Sequence, residues 1–120
     1  MPHTPHPQLQ VRTRVLLVES DGDARRAHEV ALVTAGYEVS STPAIPPADE
    51  FSDADVVLVE LPYFELLPSH FIDSEVIVLT DDVKAGVLAC LCGAADWVPV
   101  NSDASYLRDA VRDVVRDRSR

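Results

Sequence analysis

Acidic side chains that directly follow apolar runs are the residues of this sequence best placed to do chemistry. Glu19-Ser20-Asp21-Gly22-Asp23 follows Val15-Leu16-Leu17-Val18, Glu60 follows Val56-Val57-Leu58-Val59, and Thr80 follows Val76-Ile77-Val78-Leu79. Carboxylates brought together offer hard oxygens to a divalent cation, and Glu19, Asp21 and Glu60 are the set that could do so. Other chemistries are poorly served. Cys90 and Cys92 are too few and too close for a metal cage, and no CxxC or HExxH spacing occurs, so both are expected as thiols. His28 and His70 are the histidines inside the domain, and no Ser/His/Asp arrangement can be assembled around them. The first acidic turn lacks GxGxxG and GxxxxGK[ST], and its acids would repel a pyrophosphate, which ranks a nucleotide-binding α/β enzyme last.

The elements that must position these residues follow from the pattern around them. With 120 residues, 47% hydrophobic and 25% charged, the chain is expected to form one globular domain over residues 11–120, behind a flexible, proline-bearing tail of residues 1–10. In that tail His3 and His6 read as solvent decoration. Val15–Val18 is a short continuous apolar run, the pattern of a strand covered on both faces. Ala24, Ala27, His28, Ala31, Leu32 and Ala35 then repeat at helical spacing up to Gly36, which places His28 on a buried stripe with a backbone partner expected. Tyr37–Ser41 alternates as a second strand. Pro43, Pro46 and Pro47 leave room for one or two helical turns before the third run. Nineteen residues, two of them proline, separate Glu60 from Thr80, so any helix there is short. Asp81 or Asp82 caps a helix closed by Gly93, Trp97–Val100 is a fifth strand whose Pro99 assigns it to a sheet edge, and a last helix starts at Ser102 or Asp103. Short apolar strands alternating with helices predict parallel strands in a three-layer α/β sandwich, whose ligands sit at the strands' carboxyl ends. Glu19, Ser20, Asp21, Glu60, Thr80 and Val100 fall there.

Ten Lys and Arg against twenty Asp and Glu give a net charge of −10, which repels phosphate backbones and anionic headgroups. Direct nucleic-acid binding and membrane binding are therefore not expected. MPHTPHPQLQ has no signal-peptide core, and a cytoplasmic protein is expected.

RVLLVESDGDARR followed by AGYEV, DVVLVEL with Pro62 after it, VIVLT and GAADW stand in an order that resembles the response-regulator receiver domain, the flavodoxin-like phosphoacceptor module of two-component signalling. The resemblance runs over most of residues 13–118 and implies a five-stranded parallel sheet of order 2-1-3-4-5, here with shortened second and third helices. Receivers use two adjacent acids after the first strand to hold Mg²⁺, an Asp after the third as phosphoacceptor, a Thr or Ser after the fourth and a Lys after the fifth. At the matching positions this chain has Glu19 and Ser20, then Glu60, then Thr80, then Val100 (or Val98 if Pro99 takes the family's proline position). Trp97 matches the family's switch aromatic. Lys84, the chain's one lysine, lies in the preceding helix.

Phosphoryl transfer depends on positioning and on neutralising the equatorial oxygens, a task that metal and lysine share. Losing one such stabiliser costs on the order of 3 kcal/mol. The extra methylene of Glu60 displaces its carboxylate by about 1.5 Å, a misplacement itself worth roughly a hundredfold. The resemblance therefore implies a degenerate receiver, or pseudo-receiver, that acts through protein contacts without phosphorylation and without a cofactor. The alternative is a phosphorelay receiver still phosphorylated at the third-strand acid, with Mg²⁺ weakly held by Glu19, Asp21 and Glu60. Glu60 could also imitate a phosphorylated Asp by accepting a hydrogen bond from Thr80, against the plainer reading of a hydrated strand-end acid.

Val83–Cys92 carries one charge in ten residues, too apolar for a helix with a water-facing side. Cys90 and Cys92 lie about 200° apart around it, so only one can face the sheet. Val87, Leu88 and Leu91, with Arg108 and Arg112 of the last helix, are the expected interaction surface for a protein partner or a second copy, through the fourth helix, fifth strand and fifth helix. On that last helix Leu107, Ala110, Val111, Val114 and Val115 form the expected buried stripe, and on its outer face Arg108, Arg112, Arg116 and Arg120 alternate with Asp109, Asp113 and Asp117, rows that attract at i+3.

Overall fold

The structure, a computed structural model, describes residues 12–46, 54–67 and 74–118. The elements are β1 (Arg14–Val18), α1 (Gly22–Thr34), β2 (Glu38–Thr42), β3 (Val56–Glu60), α2 (Leu61–Phe64), β4 (Glu75–Leu79), α3 (Val83–Leu91), β5 (Asp96–Val98) and α4 (Ala104–Arg118). All strand pairs are parallel, in the order β2-β1-β3-β4-β5. This is the expected flavodoxin-like sheet.

Continuous apolar runs become the inner strands because both of their faces are covered. Val15, Leu17, Val56, Leu58, Ile77 and Leu79 point to one face, where they meet Leu32 of α1 and Leu107 and Val111 of α4. Leu16, Val18, Val57 and Val59 point to the other, under Tyr63, Phe64 and Leu67. Val78 continues that second face beneath Ala89, Ala94 and Trp97. The period-2 alternation of each strand thus feeds two cores with helices on both sides.

Helix ends follow the sequence signals. Asp21 caps α1 by accepting from the Asp23 and Ala24 amides, and Asp82 caps α3 by accepting from the Ala85 amide. Asp103 does the same at the start of α4, accepting from the Tyr106 amide at 2.9 Å. Gly36 and Gly93 follow α1 and α3 at φ 99° and 114°, the left-handed region that a side chain disfavours. α2 is four residues long, with Pro in its first turn where no amide partner is lost.

Four expectations shift. The α1 stripe narrows to His28, Ala31 and Leu32, while Ala27 and Ala35 face solvent, because the α4 contact covers only that strip. β2 starts at Glu38 and not at Tyr37, which packs against the core instead. β5 forms the sheet edge but ends at Val98, so Pro99 lies past the ladder. Val115 is only partly buried, at the margin of the α4 stripe. The tail 1–10 with His3 and His6, most of the expected helix before β3, and His70 lie outside the described residues.

At the amino ends of the strands, Asp55 ties three elements together. The Arg14 amide donates to its Oδ2 at 2.8 Å, and Arg118 Nη1 donates to its carbonyl at 2.8 Å and lies 3.2 Å from Oδ1.

Candidate functional site

Parallel pairing brings the carboxyl ends of β1, β3, β4 and β5 to one edge of the sheet, with Val18 beside Val59, Glu60 beside Leu79 and Leu79 beside Val98. Glu19, Glu60, Thr80 and the segment to Val100 therefore share that edge. What each side chain does there departs from the expected phosphoacceptor pocket.

Glu19 is 1% exposed. Its Oε1 lies 2.7 Å from Nδ1 of His28, itself buried in α1. Nδ1–H donates to the carboxylate, and this hydrogen bond raises the His28 pKa, against an opposing push from burial and with added help from the Glu19 charge and the Val100 backbone. The partner of His28 is thus a carboxylate rather than the expected backbone group alone. Oε2 of Glu19 is enclosed without a hydrogen-bond partner among the described residues. Around it, the Glu19 amide donates to the Thr42 carbonyl at 3.0 Å and the Glu19 carbonyl accepts from Arg25 Nη1 at 2.8 Å.

The other members of the edge are engaged as well. Glu60 Oε1 accepts from the Ser20 amide at 2.7 Å. Thr80 is buried, and its Oγ1 accepts from the Asp82 amide at 3.1 Å. Among the described hydrogen bonds Glu60 is joined to Ser20 and not to Thr80, so in place of a Glu60–Thr80 bond one bond links the end of β3 to the β1–α1 loop and another stays within the β4–α3 loop. Asp21 is exposed and occupied as the α1 cap. Val100 packs at the margin of the core, and its amide donates to Asp81 Oδ1 at 2.8 Å, joining the β4–α3 and β5–α4 loops.

This set does not fit the Mg²⁺ that the fold family implies. Mg²⁺ keeps several waters and takes one or two exposed carboxylates, whereas Glu19 is sealed against His28, position 20 is Ser, and Asp21 and Glu60 already accept amide hydrogens. Among the described residues no group of three or more His, Cys, Asp or Glu side chains is arranged to hold a metal ion. Lys84 is exposed on α3.

Trp97 lies flat against α3. A Cβ at residue 86 would stand 2.3 Å from Trp97 Cδ2 and 2.6 Å from Cγ, so only glycine admits the indole there. Sequence reading placed Trp97 but passed over Gly86, whose signal was a glycine inside an otherwise apolar helix. The other missed feature, the Glu19–His28 pair, was marked by an acid at a strand end and a histidine on the inward face of the next helix.

Outward from Trp97, α3 presents Val83, Val87, Leu88 and Leu91 to solvent, Leu91 at 78% exposure. An open groove of about 150 Å³ runs between α2 and α3, lined by Leu61, Phe64, Leu88, Ala89 and Cys92. Cys90 is partly buried and Cys92 exposed; burial pushes the Cys90 thiol up, as does Asp96. The two arginines separate. Arg108 is half-buried with an enclosed Nε, while Arg112 is exposed and pairs with Asp109 at 3.3 Å and Asp113 at 3.5 Å. Arg112 also acts on Tyr37, whose phenol is raised by burial and partly drawn back by that guanidinium.

No protein-family model matches the chain, and no curated protein does. Solved structures do. A receiver domain from Clostridium thermocellum superposes with a TM-score of 0.77 at 16% identity, over 89% of this chain and 97% of that one. A response regulator from Thermotoga maritima gives 0.75 at 21% identity, over 88% and 99%. An orphan response regulator of H. pylori gives 0.71 at 20% identity, over 85% and 95%. Identities this low speak for architecture alone, and together with the strand order they show that this chain has the receiver-domain fold.

Proposed function

We propose that this protein is a receiver-like signal-transduction module that works by protein–protein contact, independently of phosphorylation. The observation that carries the reading is the internal pairing of the strand-end acids: Glu19 with His28, and Glu60 with the Ser20 amide. A phosphoacceptor needs an approachable carboxylate flanked by preorganised positive charge. Here the position matching the lysine is Val100, whose amide is bonded to Asp81, or else Val98, and neither carries a charge. The module does not catalyse a reaction; it presents a surface.

That surface centres on Val87, Leu88 and Leu91 of α3, extends along β5 and reaches Arg108 and Arg112 of α4, and it takes either a second copy of this chain or a protein partner. Exposed apolar side chains grouped on one helix support this. The net charge of −10 supports a protein partner over nucleic acid or anionic lipid. A cytoplasmic setting agrees with the fact that no helix among the described residues is long and apolar enough to cross a membrane.

Incubation with acetyl phosphate and Mg²⁺, followed by intact mass and light scattering, tests the reading. The expected result is an unchanged mass and an unchanged molar mass in solution. Gain of one phosphoryl group on Glu60 or Asp21 would instead favour the phosphorelay receiver, with the third-strand acid as acceptor.

A further inference from the structure

We propose that the side chain of His28 seals the Glu19 carboxylate inside this cleft and so closes the strand-end acids to a divalent ion. The geometry comes from three elements. Glu19 at the end of β1 is 1% exposed and bonded to His28 at 2.7 Å. His28 is buried on the inward face of α1, and Val100 and Ser102 of the β5–α4 loop line the same cleft. A desolvated carboxylate needs a close counter-charge, and the nearest described alternative, Arg25, is engaged by the Glu19 carbonyl rather than the carboxylate.

An ion with its hydration shell would need at least one solvent-facing oxygen of Glu19. Oε2 has no hydrogen-bond partner among the described residues and is enclosed by protein, so it offers no such opening. His28 lines an open cleft of about 370 Å³ between α1 and the β5–α4 loop, together with Val100, Ser102 and Asp103, while its Nδ1 side is turned to Glu19. The pair is therefore a closure of the metal position, built from a strand-end acid and a helix residue nine positions later. It stands on this geometry and not on the proposed signalling role.

Manganese alone, added to the ¹⁵N-labelled protein without any phosphodonor, tests it. Amide signals of Ser20, Asp21 and Glu60 should broaden no more than those of exposed Asp109 and Asp117. Saturable broadening centred on the first three would overturn the proposal and leave the proposed function standing. In His28→Ala, which uncovers the Glu19 carboxylate, the same three signals should broaden saturably as manganese is added. A folded His28→Ala protein in which they do not would show that His28 is not what closes these acids.

Discussion

The strand-end cleft and the outer face of α3 are opposites in how their atoms are satisfied. In the cleft, polar groups meet one another: Glu19 with His28, Glu60 with Ser20, Asp81 with Val100. On α3, apolar side chains meet water, with Val83, Val87, Leu88 and Leu91 all about half exposed or more. Buried polar groups that are paired fix a single arrangement, whereas exposed apolar area lowers its free energy by being covered. The contrast teaches that a fold usually associated with a reactive cleft can pair the polar groups of that cleft with one another while a neighbouring helix keeps its apolar side chains uncovered.

The largest effect should come from breaking the cleft. His28→Ala leaves Glu19 buried without its counter-charge and should destabilise the domain by about 3–5 kcal/mol in urea unfolding. A loss below 1 kcal/mol would mean that the cleft is hydrated and open, and the contrast with α3 would dissolve. Next is Gly86→Ala. Its new methyl would meet the indole of Trp97, and overpacking of this kind costs about 1–3 kcal/mol, read by thermal unfolding.

The same ion pair sets a pH dependence. Because the folded His28 pKa is raised above its ordinary 6.5, its contribution is fully present below that value and disappears as pH rises through the raised folded value. Stability should therefore decline across that upper window, and Glu19→Gln should flatten the decline. The other charged groups near the ring are Arg25 on α1 and Asp103 in the loop lining the cleft, so the window should be followed at two salt concentrations.

Leu91→Glu should leave unfolding within about 0.5 kcal/mol of the parent, since Leu91 is 78% exposed, while weakening any self-association or partner capture. Unchanged association would move the recognition surface elsewhere. Smallest of all is Arg112→Ala, an exposed helix-face ion pair worth less than about 1 kcal/mol.

Much of the fold was legible because its signals are local. Four-residue apolar runs marked the inner strands, Asp21, Asp82 and Asp103 marked helix starts, and Gly36 and Gly93 marked helix ends. Boundaries that depend on neighbours were not: β5 loses Pro99 because the ladder to β4 stops at Val98, and Ala27 drifts to solvent because nothing packs over it. For the site, position was readable and pairing was not. Glu19 and His28 were each placed correctly, one at a strand end and one on a buried stripe, but the bond between them is tertiary. Asp55 with Arg118, sixty-three residues apart, is the same case in a plainer form.

The seam between α3 and β5 has one more use. Trp97 is the chain's single tryptophan, and it is wedged between Gly86 and the small apolar group of Val78, Ala89 and Ala94, directly behind the face that carries Val87 and Leu88. The molecule therefore contains its own optical reporter, unmixed with any second indole. Occupation of the helix by another protein should change the colour or lifetime of that emission, whereas events confined to the Glu19–His28 end should leave it dark to the observer.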